Sequence, residues 1–474
     1  MDLVIKGGTV ISPWGRQKLD IMVDKGKIVA LGDVGAAKAD RVIDATGKMV
    51  IPGGIECHTH HENAFQGAVG GDDFYGGSVA AACGGTTTMM DFSITLKGNM
   101  PLDFLKKRIS MAEERGIVLD FSFHCCLTEI NPEILAQIKD VIDYGAASFK
   151  VYMIYRKEEM MLDDGQLMAL MDVATKHGGL VGVHAENAAI AEYRTDLLLK
   201  NGRTRWTDHP VGKPNIVEAE AIQRAALLAK EMGTGMYIYH MSTKEGVDIC
   251  RNAHLNNQPL YAETCPHYLT FTEDVYNRED GYLYLISPPL RKQADIDALW
   301  KGMADKAVQV TSTDHAPFTL KEKQMNMKWD DQGNIIQEYH TVANGGPGIE
   351  MKLPTLINGV SNGKLTWEQL VFANSYGAAR IFGFYPQKGL IEVGADADIV
   401  IVDPEKEVNL TNSMLHMNVE YTLYEGLHYK GWPVMTISRG TVLMENGEFV
   451  GPKGHGKYIK RSIDPEILKS SAWM

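Results

Sequence analysis

The sequence predicts an α/β protein: a (β/α)8 barrel over residues 53–384, including its C-terminal helices, and a small β-sandwich assembled from both ends of the chain, 1–52 and 385–474. Three observations carry this expectation. Eight short apolar segments alternate with amphipathic ones through the middle of the chain. Those segments are too continuously apolar for a sheet with one wet face, which points to parallel strands. Eight such units in roughly 250 residues have the size of a closed barrel. A doubly wound open sheet, the competing architecture, would carry a glycine-rich nucleotide loop after its first strand, and none follows here.

The elements support this in order. Through the first 50 residues, "DLVIKGGTVIS", "LDIMVDKGKIVALG" and "RVIDATGKMVIPG" alternate apolar strands with turn residues, as small antiparallel units do. The same texture returns in "GLIEVGADADIVIVDP" and "VMTISRGTVLMENGEFV", so the two ends are expected to meet as one discontinuous unit. Between them the strands are predicted at 49–60, 86–94, 119–127, 148–154, 179–186, 236–242, 260–268 and 308–317. Helical periodicity separates most of them, in "PLDFLKKRISMAEERG", "NPEILAQIKDVIDYG", "DDGQLMALMDVATKHGG" and "NIVEAEAIQRAALLAKEMG".

Composition narrows the function. Of the 474 residues, 45% are hydrophobic and 23% charged, ordinary values for a globular protein. The net charge of −13 argues against a nucleic acid or an anionic membrane as partner. Six scattered cysteines with no CxxC pair exclude a disulfide scaffold and a zinc knuckle, and suit a reducing cytoplasm. "MDLVIKGGTV" lacks the basic and apolar regions of a signal peptide. No apolar run approaches the ~18 residues a membrane helix needs. A soluble cytoplasmic protein is expected.

In a barrel of this kind the chemistry sits at the C-terminal ends of the strands. His58 and His60 end the first predicted strand, Lys150 lies on the fourth, and His184 ends the fifth. His240 ends the sixth and Asp314 the eighth. In "CHTH" the i, i+2 spacing puts both imidazoles on one side of an extended strand, where they can share a metal. Histidine nitrogen with carboxylate oxygen suits Zn²⁺ first, with Mn²⁺, Fe²⁺ and Co²⁺ as alternatives.

Lys150, in "GAASFKVYMIY", is the anomaly. An ammonium in a buried strand aimed at divalent cations is both desolvated and repelled. A carboxylate partner or a side chain reaching the rim would relieve it. Reaction with CO₂ would instead convert the amine into an anionic carbamate whose two oxygens can bridge two metals.

"PGGIECHTH", "SFKVYMIY", "GVHAEN", "YHMST", "ETCPHYL", "SPPLR", "STDHAPF" and "NGGPGIE", in this order, resemble the cyclic amidohydrolases of the amidohydrolase superfamily, and most closely the dihydropyrimidinase/hydantoinase group. The likeness runs nearly end to end and includes "GADADIVIVDP". It implies a binuclear centre in which His58, His60 and Asp314 hold one metal and His184 and His240 the other. Lys150, as N6-carboxylysine, and a hydroxide bridge the two. It further implies hydrolysis of the cyclic amide of hydantoins or dihydropyrimidines to N-carbamoyl amino acids, in a homotetramer. Asp314 would shuttle the proton, and Tyr155 would donate to the developing oxyanion. Ser287 and Asn344 would hold the ring's ureide edge through their backbones. His315 and His267 match no ligand position and are expected to support or pack, while Cys57 and Cys265 are expected to fill core space.

Related enzymes compete for the reading. "TDHAPFTLKEK" resembles dihydroorotase, but that family places an arginine soon after the paired histidines, and "HTHHENAFQG" has none. Allantoinase shares "ETCPHYL", whereas "NGGPGIE" and "SFKVYMIY" favour the hydantoinase side. Non-catalytic scaffold relatives of dihydropyrimidinase are marked by loss of the metal-site residues, and all six positions are present here. Glu56, His61, Glu62, Asn63, Tyr152 and Glu159 suggest a polar mouth, and hence a polar or purine-derived cyclic ureide.

Overall fold

Residues 49–60, read above as one strand, serve two sheets. In the computed structural model, which describes residues 1–35 and 38–474, Met49–Pro52 pairs antiparallel with residues 399–402. The chain then passes Gly53, and Gly54–Thr59 opens the barrel. Gly53 is required by close approach, since a Cβ there would lie 2.1 Å from the Thr87 hydroxyl.

The barrel strands are β1 (Gly54–Thr59), β2 (Thr86–Thr95), β3 (Asp120–Leu127), β4 (Ser148–Tyr152), β5 (Leu180–His184), β6 (Met236–Ile238), β7 (Leu260–Thr264) and β8 (Val310–Thr311). Each pairs in parallel with the next. The ring closes just beyond β8, where His60 N–H donates to His315 O (2.9 Å) and His315 N–H to His58 O (3.3 Å).

Helices cover the outside. In Pro132–Tyr144 the buried Ile134, Ile138 and Val141 fall on one stripe, and the Asn131 side chain caps the Ile134 N–H. Gly145 ends that helix at φ +114° and turns the chain into β4; a Cβ there would strike Lys460 at 2.7 Å.

Strands β6, β7 and β8 are shorter than the sequence suggests. Shortly beyond β6 and β8, His240 (φ +40°) and Asp314 (φ +50°) take left-handed conformations that interrupt the extended backbone. Beyond β7 a short helix, Pro266–Thr270, replaces the expected extension.

Strands from both chain ends share one seven-stranded sheet, ordered 448–449, 441–445, 428–438, 399–409, 49–52, 9–12 and 15–18. A four-stranded sheet (27–32, 20–24, 3–6, 41–44) accompanies it, and a core including Leu3, Ile21, Val50, Ile399 and Ile437 draws on both. The last residues run beneath the barrel. Ile459 N–H bonds Phe121 O at 2.8 Å. The buried Arg461 donates to Ser122 Oγ (2.8 Å), Phe123 O (2.6 Å) and Phe382 O (3.0 Å). Among the described residues no helix is long and apolar enough to cross a membrane.

Candidate metal centre and active site

Five strand ends deliver the six polar side chains to one place. Thr59 lies between His58 and His60 and turns away to Asp91 Oδ2 (2.9 Å), while the two imidazoles stay together with their Nε2 atoms 3.2 Å apart. Asp314 Oδ1 lies 3.0 Å from each of those nitrogens. His184 Nδ1 and His240 Nε2 are 3.0 Å apart, and the His240 ring is 5.3 Å from that of His58. Lys150 Nζ lies 2.9 Å from His58 Nε2, between the faces of Phe92 (4.2 Å) and Tyr239 (4.7 Å).

The donor set fits a cation. Metal–nitrogen distances of about 2.0–2.1 Å at a tetrahedral centre imply ligand separations of about 3.3 Å, close to what His58, His60 and Asp314 show. Burial pulls the His60 imidazole down to about 4 despite its Asp314 partner, and lowers His184 and His240 as well. Neutral rings keep a lone pair for a metal. His240 Nδ1 is buried with no hydrogen-bond partner among the described residues.

Lys150 is 1% exposed and forms no ion pair with a carboxylate among the described residues, so neither relief weighed from the sequence applies. Burial lowers its amine below the ordinary lysine range, against the pull of Asp314.

Tyr155, Ser287 and Asn344 line the same cavity, which encloses about 110 Å³. The Tyr155 ring meets His184 edge-on at 5.2 Å, and burial keeps its phenol protonated far above the usual range. Tyr155 also takes a left-handed backbone (φ +65°). With His240 and Asp314, three of the nine residues given a metal-binding, catalytic or ring-holding role hold a conformation that costs a non-glycine residue roughly 1–3 kcal/mol. Ser287 Oγ donates to Glu186 Oε2 (3.1 Å), and Asn344 N–H donates to Gln66 Oε1 (3.1 Å). His315 braces a loop, with Nε2 on Asp72 (2.9 Å) and Nδ1 accepting the Gly348 N–H (3.1 Å). His267 is buried against Tyr268, and Cys57 and Cys265 are fully buried.

The polar mouth does not materialise. Glu56 lies inside the barrel, fully buried, accepting the backbone N–H of His58 (2.9 Å) and Thr313 (3.0 Å). His61 turns inward to Asp91, Glu62 pairs with Arg115, and Glu159 stands in solvent near Lys97. Only Asn63 and Tyr152 of that set face the cavity, whose outer wall is Ala64, Phe65, Ile94, Leu96, Met160 and Phe318. Asp91 accounts for the difference, since it accepts from Thr59, His61, Asn63 and Arg108 and draws the loop's polar groups into the protein.

Two carboxylates behind the cluster were missed. Glu263 is fully buried; it takes His58 Nδ1 and the His240 N–H (3.1 Å) on one oxygen and the Tyr237 hydroxyl (2.9 Å) on the other. Glu186 accepts His184 Nε2 (2.7 Å) and is paired with Lys213 (3.1 Å). The sequence carries a signal for both, because "YAETC" and "VHAEN" each set a carboxylate against an apolar strand.

A (β/α)8 barrel that gathers four histidines, a lysine and an aspartate at its C-terminal mouth is a barrel whose donor set fits a divalent cation. Sequence comparison makes the assignment specific: the amidohydrolase family profile matches residues 49–443, and the chain belongs to that family, in its hydantoinase/dihydropyrimidinase group. It is 36% identical to a D-hydantoinase of Ralstonia pickettii, covering 97% of this chain and 99% of the relative. It is 37% identical to a D-phenylhydantoinase of Escherichia coli K12, covering 99% and 100%. The solved dihydropyrimidinase of Brevibacillus agri superposes with a TM-score of 0.92 at 36% identity, covering 98% of this chain and all of the other. An L-hydantoinase of Arthrobacter aurescens superposes with 0.89 at 30%, covering 97% and 100%.

Proposed function

We propose that this chain is a metal-dependent cyclic amidohydrolase that opens hydantoin or dihydropyrimidine rings to N-carbamoyl amino acids. The observation that carries the reading is the approach of His58, His60 and Asp314 to within 3.2 Å of one another beside a buried, carboxylate-free Lys150. His58, His60 and Asp314 would hold one divalent cation, Zn²⁺ by preference, and His184 and His240 a second. Lys150 would join the two as a carbamate. Its formation needs a neutral amine, which burial favours: nitrogen attacks the carbon of CO₂, a C=O bond opens, and the N–H proton leaves to solvent. Bound cations supply the charge that makes a water acidic enough to act as hydroxide near neutral pH.

The chain's own groups do the rest. Asp314 takes the proton of the attacking water and delivers it to the ring nitrogen as the C–N bond breaks. Tyr155 donates its phenolic proton in a hydrogen bond to the carbonyl oxygen as negative charge grows there. The backbones at Ser287 and Asn344 hold the ureide edge. The apolar outer wall supports an apolar substituent on the ring, in place of the polar or purine-derived ring suggested by the loop sequence. The six buried, unbridged cysteines support a cytoplasmic location, and the family likeness supports a homotetramer, to be measured by sedimentation.

A metal-loaded, bicarbonate-treated preparation is expected to turn over aryl-substituted hydantoins or dihydrouracil faster than allantoin, dihydroorotate or oxidised purines. Inertness across this panel would overturn the reading. Glu263 offers a separate check. Glu263→Gln keeps the shape but removes the charge that orients His58 and His240, so metal affinity should fall about 10–100-fold in a chelator competition. Unchanged affinity would detach Glu263 from the centre.

A further inference from the structure

The residues expected to grip the ring edge, Ser287 and Asn344, lie on different loops, one before β8 and one after it. A single side chain ties those loops together. Lys323, in the short helix Leu320–Gln324, is fully buried, and its Nζ donates to Leu285 O (3.1 Å) and Ala343 O (2.9 Å). Leu285 stands two residues before Ser287, and Ala343 immediately precedes Asn344. Leu285 O also accepts the Gly345 N–H (3.0 Å), so the loops are joined directly as well as through the lysine.

The helix that carries Lys323 is itself held on several sides. Thr319 and Glu322 form a capping box at its start. Glu322 Oε1 accepts the N–H groups of Val69 (2.8 Å) and Gly70 (3.1 Å) from the loop after β1. Leu320 N–H donates to Glu420 Oε2 (3.0 Å), and Gln324 donates to the Tyr282 hydroxyl (2.9 Å). The amine therefore projects from a fixed base.

Burying a lysine without a counter-charge is expensive. Among the described residues Lys323 has no carboxylate partner, and burial lowers its amine to about 7. Packing alone would be better served by methionine. What an amine supplies and methionine cannot is donors for two buried carbonyls: Ala343 O, and Leu285 O beside the Gly345 N–H it already accepts. Even the neutral amine keeps two N–H bonds, enough for both.

We propose that Lys323 is a positioning residue, a strut that sets the spacing between the backbone at Ser287 and the backbone at Asn344 and so the size of the cyclic ureide edge that the site accepts. This rests on the cyclic-ureide reading given above. Lys323 touches neither the metal-site residues nor Tyr155, so its removal should weaken ground state and transition state alike.

The test compares the metal-loaded wild-type enzyme with Lys323→Met, Lys323→Gln and Lys321→Met on hydantoin (five-membered) and dihydrouracil (six-membered). Lys321 is exposed on the same helix and serves as control. For Lys323→Met, KM is expected to rise about tenfold with kcat within about threefold and metal content unchanged. The ratio of KM between the two rings should also shift, a change that general destabilisation would not produce. Lys323→Gln retains an N–H donor and should fall between Met and wild type; it carries the test if the Met variant does not fold. Lys321→Met should match wild type. Unaltered KM and ring preference in the Lys323 variants, beside an active wild type, would overturn the strut alone, as would a loss confined to kcat. A wild type inert on every ring would remove the functional reading and the strut with it.

Discussion

Lys150→Ala is expected to lose its divalent metal and its turnover together, with activity falling about 10³-fold or more once the cations that activate water are gone. The reason lies in the burial of Lys150 between Phe92 and Tyr239, with only an imidazole nitrogen at hydrogen-bonding distance among the described residues. An ammonium there would repel a cation held by His58, His60 and Asp314, whereas a carbamate supplies the missing anion. Alanine leaves a space of about the length of the lost side chain, so acetate or propionate should enter it and restore part of both metal and rate. Lys150→Met fills that space and should resist rescue. Metal content measured by elemental analysis decides the matter: a Lys150→Ala protein that keeps its full complement would end the carbamate proposal.

The parts of the site that break a local rule are the parts that could be read from sequence. Lys150 in an apolar strand and two histidines at i, i+2 contradict simple burial, and a chemical role resolves the contradiction. The barrel was legible for the opposite reason, since its continuously apolar strands alternate with helices, most of them amphipathic. Glu263 and Glu186 break the same rule as Lys150, each a carboxylate fully buried at the end of an apolar strand.

The mouth was misread because loop polarity says nothing about direction. Asp91 and Arg108, on β2 and the helix that follows it, turn His61 inward through contacts some 30 to 47 residues away in sequence. Strand ends were overrun where His240 and Asp314 adopt positive φ, which no propensity assigns to histidine or aspartate in a strand. Lys323 was invisible for a related reason: in "TLKEKQ" it is one lysine of a charged helical turn, and only the tertiary fold buries it while Lys321 stays in solvent.

Tyr155→Phe is the sharper test of the chemistry, because it removes one oxygen and leaves the ring. Phenylalanine preserves the edge contacts that Tyr155 makes with His184 (5.2 Å) and Phe65 (5.2 Å), so the loop after β4 should keep its shape. The left-handed backbone at residue 155 is no harder for phenylalanine than for tyrosine. Metal content should match wild type, and KM should change little, since a neutral carbonyl gains less from the phenol than the oxyanion does. The rate constant kcat should fall about 10²–10³-fold, the usual loss for one oxyanion donor in a site closed to water. A near-normal kcat would show that charge on the carbonyl oxygen is met by another group. Loss of metal together with rate would place Tyr155 in the architecture of the centre and outside the chemical step.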